Sequence, residues 1–421
     1  MFRLLRNAPR PVRPLALLVI ATLASGCGDD AKQHATEQQP RPLPLAAVFG
    51  SALPHLASHA GTTVLSWVEP VGDGVALRFA TLGDNGWSSP QTVSTGEDWF
   101  VNWADFPSVE PITDTTWAAH WLRKKPGGKY AYDVVMAVSD DRGEHWQTPL
   151  TPHTDDTATE HGFVSLFPTL AGVGALWLDG RNTSGGHDGH AAHGGGMTLR
   201  AATINANSER VDEHLVDGLM CDCCQTDIAL TDHGPVAVYR DRSPDEVRDI
   251  AIARQVEGQW LPGIPVATDN WQIDGCPVNG PAVAAQGKHV AVAWFTGAGD
   301  VPRVRIALSE DRGATFTRTV TLADQRPLGR VDIAVLPDGG AIVSWLSKRD
   351  GSTSELTAQW INASGHDGQP RSIATTAATR AAGFPQMVLA DRQLIFAWTD
   401  ARNKPTTVKS ATLPLTALVA H

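Results

Sequence analysis

The sequence predicts an all-β protein that forms a single β-propeller of seven four-stranded blades, with six blades as the alternative. A short apolar strand that carries an aromatic residue recurs seven times, at spacings of 51 to 62 residues. The aromatic residues of these strands are Trp67, Trp121, Trp177, Tyr239, Trp294, Trp345 and Trp398. The 39 glycines and 28 prolines punctuate the strands, and helical periodicity is nearly absent. Four-stranded units repeated at this length are typical of propeller blades.

Each repeat has the same internal order of strands, which we label a to d. Strand a often opens with proline, as in FPSVEPI, FPTLAGV and FPQMVLA, and strand b carries the aromatic residue. Strand c alternates apolar and polar residues, and strand d is short. Because a propeller ring must close, we expect the last blade to be completed either by the apolar segment 45–50 or by the C-terminal segment 415–421.

The N-terminal segment has the organisation of an export signal. Four arginines in the first thirteen residues precede the apolar run 15–24, and small residues then lead to Cys27. This order resembles a lipobox, in which the cysteine is acylated and becomes the new N-terminus. An ordinary cleaved signal with an incidental cysteine is the alternative. We therefore expect a lipoprotein signal peptide at 1–26, a flexible tether at 27–44 and the propeller at 45–421.

Composition limits the partners that this chain can have. The formal net charge is −11, and no basic cluster interrupts it, which argues against nucleic acid as a partner. No other segment is apolar and long enough to cross a bilayer, so we expect contact with a membrane only through the N-terminal lipid. The predicted location is the cell envelope, on the periplasmic side of a bacterial membrane or on the cell surface.

Two repeats carry a second motif between strands c and d. Both fit the pattern S-x-D-x-G-x-x-[W/F], and a degenerate third copy, GDNGW, lies at 83–87. The motif residues are Ser139, Asp141, Gly143, Trp146, Ser309, Asp311, Gly313 and Phe316. They resemble the Asp-box of the sialidase superfamily, in which the motif is structural. The resemblance implies a propeller for the whole mature chain, although the precise motif covers only these two turns.

Topology separates the loops of such a propeller into two faces. In an antiparallel a-b-c-d meander, the d-to-a and b-to-c loops leave one end and the Asp-box turns leave the other. We call the first end the funnel face. In the sialidase superfamily the Asp-boxes point away from the active site, so the resemblance implies that the funnel face carries function.

Charged and aromatic residues concentrate in the predicted funnel loops. Arginines there could hold a carboxylate, sulfate or phosphate group bidentately, although Asp–Arg pairs could equally be clamps between blades. The candidate ligand-binding residues are Arg181, Arg240, Arg242, Arg248, Arg402 and Trp103. The candidate catalytic carboxylates are Glu160, Asp179, Asp241 and Glu246.

Catalysis of the sialidase kind is not predicted. Members of that family resemble one another in an F-R-I-P-like segment, three arginines, a Tyr–Glu nucleophile pair and an Asp acid/base. This sequence lacks such a segment, and none of Tyr130, Tyr132 and Tyr239 lies in the late blades where the nucleophile belongs. A hydrolase that uses two carboxylates, such as Glu160 with Asp179 or Asp241, stays open.

Four cysteines form the most unusual pattern. Cys221, Cys223 and Cys224 lie in one predicted d-to-a loop and Cys276 in the equivalent loop of the next blade. An exported protein favours a disulfide between Cys276 and one of the other three. The alternative is a thiolate site for Cu or Zn near Asp222 and the 240–248 loop. A glycine-rich loop nearby adds further candidate metal ligands, namely His187, His190 and His193.

The sequence thus favours a cell-envelope propeller whose funnel face binds a glycan, an anionic ligand or an envelope protein. Two alternatives remain: an exo-sialidase or other glycoside hydrolase, and a metal-binding propeller that uses the cysteines.

The anchoring prediction can be tested at Cys27. Because acylation requires the thiol, Cys27→Ser should release the protein from the membrane fraction or stop its maturation, whereas Cys276→Ser should leave fractionation unchanged. Immunoblotting of membrane and soluble fractions measures this. Unchanged membrane partition of the Cys27→Ser variant would contradict the lipoprotein prediction.

Overall fold

A computed structural model confirms the predicted seven-bladed propeller. It describes residues 38–183, 195–316, 318–366 and 368–419, and every described strand belongs to the compact unit Gln39–His421. Within these ranges the helices are three single turns of 3-10 type, and none is long or apolar enough to cross a membrane. The predicted signal peptide 1–26, Cys27, His187, His190 and His193 lie outside the described residues.

The first three blades follow one another along the chain, each written here from strand a at the axis outwards. Blade 1 contains Ala52–His59, Thr62–Val71 and Gly74–Gly83, with Gly86–Trp87 and Gln91–Gly96 sharing the outer position. Blade 2 contains Ser108–Pro111, Trp117–Lys124 and Tyr132–Ser139. Blade 3 contains His161–Thr169, Gly172–Asp179, Met197–Asn205 and Arg210–Met220.

The next three blades repeat this antiparallel meander. Blade 4 contains Asp227–Thr231, Gly234–Arg240 and Ile250–Val256, with Gln259–Trp260 and Ile264–Pro265 outside. Blade 5 contains Ala282–Gln286, His289–Thr296, Arg303–Ser309 and Arg318–Ala323. Blade 6 contains Pro327–Val335, Ala341–Lys348, Thr353–Ile361 and Arg371–Ala377.

Blade 7 joins the two ends of the chain. Its first three strands are Gln386–Ala390, Gln393–Asp400 and Thr407–Pro414, and its outer strand is the N-terminal segment Arg41–Leu43. Arg41 pairs with Thr412, and the Ser410 hydroxyl donates to the Leu43 carbonyl at 2.7 Å.

The closing strand is a correction to the sequence analysis. It uses neither 45–50 nor 415–421, and it begins four residues before the predicted start of the propeller, inside the predicted tether. The C-terminal candidate instead contains the 3-10 turn Leu415–Ala417. A strand of three residues whose side chains are mostly exposed has no apolar pattern that would reveal it.

The recurring aromatic residues are buried in all seven blades. In several blades the indole N–H donates to a polar side chain two residues further along strand b. Trp67 donates to Glu69, Trp177 to Asp179 and Trp345 to Ser347, each at 2.9 Å. A buried indole needs such an acceptor, so an acidic or hydroxyl residue two positions after the aromatic belongs to the structural repeat.

The Asp-box turns adopt one geometry in blades 2 and 5. In blade 2 the Ser139 hydroxyl accepts the Gly143 N–H at 2.8 Å, and Asp141 accepts the His145 N–H at 2.9 Å. In blade 5 the corresponding distances, for Ser309 with Gly313 and for Asp311 with Thr315, are 2.9 and 2.8 Å. The predicted structural role of these motifs agrees with this geometry.

The Asp-box aromatics connect neighbouring blades. The Trp146 ring meets Phe79 of blade 1 edge-on at a centroid distance of 6.2 Å. Phe316 of blade 5 packs against the buried cluster that contains Ile252 of blade 4. In the degenerate copy, Trp87 of blade 1 donates to the Ser410 hydroxyl of blade 7 at 2.9 Å. Each turn therefore fastens its own blade to strand c of the preceding one.

The seven a strands surround a central cavity of about 350 Å³. Three of the blade interfaces around it use a buried carboxylate that accepts a backbone N–H from the next blade. Asp105 accepts from Phe163 at 2.8 Å, Asp227 from Val283 at 2.7 Å and Asp332 from Met387 at 2.5 Å. These bonds fix the inner ends of the loops on the funnel face.

The Asp-box of blade 2 predicts a stability difference between two glycines. Gly143 has φ +83° and a Cβ there would lie 2.7 Å from the Phe79 ring, whereas Gly61 has φ +80° with open space around it. Both alanine variants carry the same backbone strain, of about 1–2 kcal/mol. Gly143→Ala should lose about 1–3 kcal/mol more in urea unfolding, because it also displaces packed aromatics. Equal losses would contradict the packing role of this turn.

Candidate functional site

The cysteine loop of blade 4 contains three thiols in close contact. The Cys221 sulfur lies 3.3 Å from that of Cys224 and 3.9 Å from that of Cys223, and all three sulfurs lie within 4.8 Å of one another. A disulfide would require about 2.05 Å. All four described cysteines are free, so the predicted disulfide with Cys276 is not formed.

These separations match the spacing of thiolates around one metal ion. With metal–sulfur bonds of about 2.3 Å, two ligands lie about 3.8 Å apart in a tetrahedral arrangement and about 4.0 Å apart in a trigonal one. The Cys221–Cys223 distance falls in this range, and the Cys221–Cys224 distance lies slightly below it. The Cys221–Cys223 separation thus suits two ligands of one ion, whereas the Cys221 and Cys224 sulfurs would have to move about 0.5 Å apart to bind the same ion.

Exposure varies systematically among the four cysteines. Cys221 and Cys224 are completely buried, Cys223 is half-buried and Cys276 is exposed. The Cys276 thiol interacts with that of Cys223, and this hydrogen bond lowers the pKa of Cys276. Exposure therefore decreases from Cys276 through Cys223 to the buried pair Cys221 and Cys224.

Charged residues of the 240–248 loop surround the buried end, as predicted. Arg248 Nη1 lies 3.4 Å from the Cys221 sulfur. Glu246 accepts from Arg248 at 2.7 Å and from Arg242 at 2.6 Å, and Arg242 also donates to Asp222 at 3.1 Å. Hydrogen bonds from the neighbouring thiols and the charge of Arg248 hold the pKa of Cys221 well below its usual range. Glu246 thus orients the guanidinium groups of Arg242 and Arg248, and both of its carboxylate oxygens accept hydrogen bonds from them.

Arg240 is a structural residue, which corrects its predicted role in ligand binding. Its guanidinium is buried and donates to the carbonyls of Arg248, Asn279 and Phe295 at 2.7 to 3.1 Å. The guanidinium carbon also lies 4.9 Å from the centre of the Trp271 ring. These contacts join blades 4 and 5, and they leave the cation without a carboxylate partner among the described residues.

Two further predicted residues are held by their own blades. Arg181 donates bidentately to Asp179 at 2.7 Å, and Arg402 donates bidentately to Asp400 at 2.8 and 2.9 Å. Asp179 also accepts the indole of its own blade, so both of its oxygens are occupied. The clamp interpretation of these Asp–Arg pairs therefore fits better than ligand binding or catalysis.

Asp241 lies in a different blade from the candidate catalytic carboxylates Glu160 and Asp179. It accepts the backbone N–H of Arg242 at 2.8 Å and forms a bridge with Met220, at the edge of blade 4. Burial raises its pKa. Glu160 and Asp179 lie close together in blade 3, where the Gly180 N–H donates to the Glu160 carbonyl at 2.8 Å.

Trp103 lies in an arginine-rich cluster that the sequence analysis did not foresee. Its ring stacks on Phe384 at 5.8 Å, and the guanidinium carbons of Arg330 and Arg380 lie 5.1 and 5.7 Å from its centre. Neither arginine has a carboxylate partner among the described residues. Burial, reinforced by the charge of Arg380, lowers the pKa of Arg330 to about 10. The three residues are distant from one another in sequence, so no motif predicts this cluster.

A tyrosine–carboxylate cluster lies beside the central cavity. The Tyr132 hydroxyl donates to Glu160, and Asp105 lies 3.5 Å from the same oxygen. Gly162 permits this approach, since a Cβ there would lie 2.1 Å from Asp105. Burial and the two carboxylates raise the pKa of Tyr132 well above its usual range, and burial raises that of Asp105 to about 8. The hydroxyl is therefore held protonated and fully buried.

Two stacked histidines lie between blades 2 and 3. The rings of His153 and His161 are parallel within 6°, with centroids 3.9 Å apart, and Asp155 contacts one nitrogen of each at 3.1 and 3.2 Å. Asp133 lies 3.8 and 3.9 Å from the remaining nitrogens. Because an imidazole binds metal in the plane of its ring, two stacked parallel rings cannot share one ion. This cluster is therefore a structural pair.

Comparison with known proteins supports the fold. No protein-family profile and no curated protein matches the chain. It is similar to the phage phi92 endosialidase, with 9% identity over 91% of this chain and 70% of that chain and a TM-score of 0.51. It is also similar to an ulvan lyase bound to a GlcA(1-4)Rha3S unit, with 10% identity over 90% of this chain and 95% of that chain and a TM-score of 0.50.

These observations define a seven-bladed β-propeller, whose fold is similar to that of an endosialidase. At such low identity the likeness shows the fold alone.

Proposed function

We propose that this protein binds a soft metal ion, Cu(I) or Zn(II), on the funnel face through Cys221, Cys223 and Cys224. The observation that carries the proposal is that three unbonded sulfurs lie within 4.8 Å of one another, with Cys221 and Cys223 3.9 Å apart, as two ligands of one ion would be. Soft thiolates select these two metals among those common in cells.

The surroundings favour a thiolate at Cys221, whereas burial raises the pKa of Cys224 above its usual range. Three thiolates buried together repel one another and need positive charge nearby. Arg248 contacts Cys221 directly, and the charges of both Arg248 and Arg240 act on that thiol. A bound cation would supply the remaining compensation.

The cell envelope is the proposed location, with the chain held by a lipid on Cys27. Its support is the order of arginines, apolar run and small residues before that cysteine. An exported protein of this kind would meet metal ions outside the cytoplasm, where free thiols survive only if a metal or burial protects them.

Metal binding can be tested by titration of the reduced protein. We expect one Cu(I) or Zn(II) per chain, measured by anaerobic competition with a chromophoric chelator and by metal analysis. Cys221→Ser should weaken binding by at least about 100-fold, because it removes the central thiolate. Cys27→Ser, which leaves all four clustered thiols in place, is the matched control. Equal affinities of the two variants would contradict the site.

An anionic glycan is a second candidate ligand of the funnel face. The observation that favours it is the exposed Arg380 beside stacked Trp103 and Phe384, with the buried Arg330 held behind the Trp103 ring by the carbonyls of Thr379 and Gly383. Unpaired guanidinium groups hold carboxylates and sulfates, and aromatic faces bind sugar rings. The structurally similar ulvan lyase is bound to a sulfated, uronate-containing saccharide, which is the ligand class proposed here.

This second proposal can be tested with two exposed arginines of the same face. We expect a sulfated uronate oligosaccharide, such as a heparin tetrasaccharide, to bind measurably in isothermal titration calorimetry. Arg380→Gln should weaken binding about 10-fold, because a charge-assisted contact contributes about 1.5–3 kcal/mol. Arg402→Gln, which removes an arginine already paired with Asp400, should change it less than about 2-fold. A similar loss in both variants would indicate nonspecific attraction.

A further inference from the structure

We propose that Cys276 is the exchange thiol of the cysteine cluster, through which Cu(I) passes between an external thiolate donor and the buried ligands. The inference rests on the proposed metal binding and adds how the ion enters, which metal it is and what kind of partner delivers it. Cys276 belongs to blade 5, whereas the three clustered thiols belong to the loop before blade 4.

The four sulfurs form a path whose steps follow their exposure. Cys276 is exposed, and its loop lies beside that of Cys223, since the Gly280 N–H donates to Gln225 at 2.9 Å. Cys223 is half-buried and lies 3.9 Å from Cys221, and Cys221 lies 3.3 Å from Cys224. Both inner residues are completely buried. An ion that arrives from solvent therefore meets the thiols in the order 276, 223, 221 and 224.

Cys276 lies outside the set of mutually close ligands. The three sulfurs of the blade 4 loop lie within 4.8 Å of one another, and the Cys276 sulfur is not among them. A closed Zn(II) site of structural type needs four ligands in tetrahedral arrangement. Three thiolates with a fourth to one side fit Cu(I), which accepts two or three soft ligands and exchanges them readily.

Transfer through Cys276 is a ligand exchange without change of oxidation state. One Cu–S bond to the external donor breaks as one Cu–S bond to Cys276 forms, and the Cys276 proton passes to the released donor thiolate. Cys223 then replaces Cys276 on the ion in the same way. The partner that fits is a molecule that presents Cu(I) on an accessible thiolate.

Rate and equilibrium measurements separate an exchange thiol from a permanent ligand. The full reduced protein is titrated with Cu(I) under competition by bicinchoninate, and stopped-flow absorbance follows transfer from the Cu(I)–glutathione complex. Cys276→Ser should keep the affinity within about 3-fold and slow transfer at least about 10-fold, since the buried set is intact and only the entry step is lost. Cys27→Ser, which leaves Cys276 and the three thiols of the blade 4 loop in place, should alter neither quantity.

Three results would overturn the inference, and they differ from one another. Loss of affinity in Cys276→Ser as large as in Cys221→Ser would make Cys276 a permanent fourth ligand. An unchanged transfer rate in Cys276→Ser would show entry by another route. Absence of Cu(I) binding by the unmodified protein would instead remove the proposed function on which the inference rests.

Discussion

The inner edges of the seven sheets impose the constraint on which the rest of the molecule depends. Each a strand turns backbone groups towards a narrow cavity, and buried N–H groups must find acceptors. Carboxylates supply them between blades 2 and 3, 4 and 5, and 6 and 7. Burial raises the pKa of Asp227 and of Asp332 to about 7, because the fold removes both carboxylates from water.

The position of the cysteine cluster depends on one of these hydrogen bonds, the one between Asp227 and Val283. Asp227 begins strand a of blade 4 directly after the loop of Cys221–Cys224, and its partner Val283 lies in blade 5 shortly after Cys276. Gln225 adds a second link, since it accepts the Gly280 N–H at 2.9 Å. The two cysteine loops are therefore held side by side by backbone contacts that do not involve sulfur, and the thiols can remain unbonded.

The sequence predicted those features that repeat and missed those that occur once. Seven aromatic strands and two Asp-boxes predicted the blades, because every blade must pack its sheet against its neighbours in the same way. We did not predict the contact between Tyr132 and Glu160 from the sequence, because the family resemblance placed the nucleophilic tyrosine in the late blades. The cluster of Trp103, Arg330 and Arg380 was not predicted either, because its members are distant in sequence and no motif connects them. Asp179 and Asp400, the partners of Arg181 and Arg402, each follow a recurring tryptophan by two positions. That spacing was the sequence signal that these arginines belong to structural clamps.

The closing strand has a consequence for how the ring is first assembled. Leu43 and its partner Ser410 are 367 residues apart, so the strand edge Thr407–Pro414 has no cover until both chain ends have met. An uncovered edge accepts any strand of suitable register, including Arg41–Leu43 of a second copy. Two chains can therefore complete each other's last blade by exchanging their N-terminal strands.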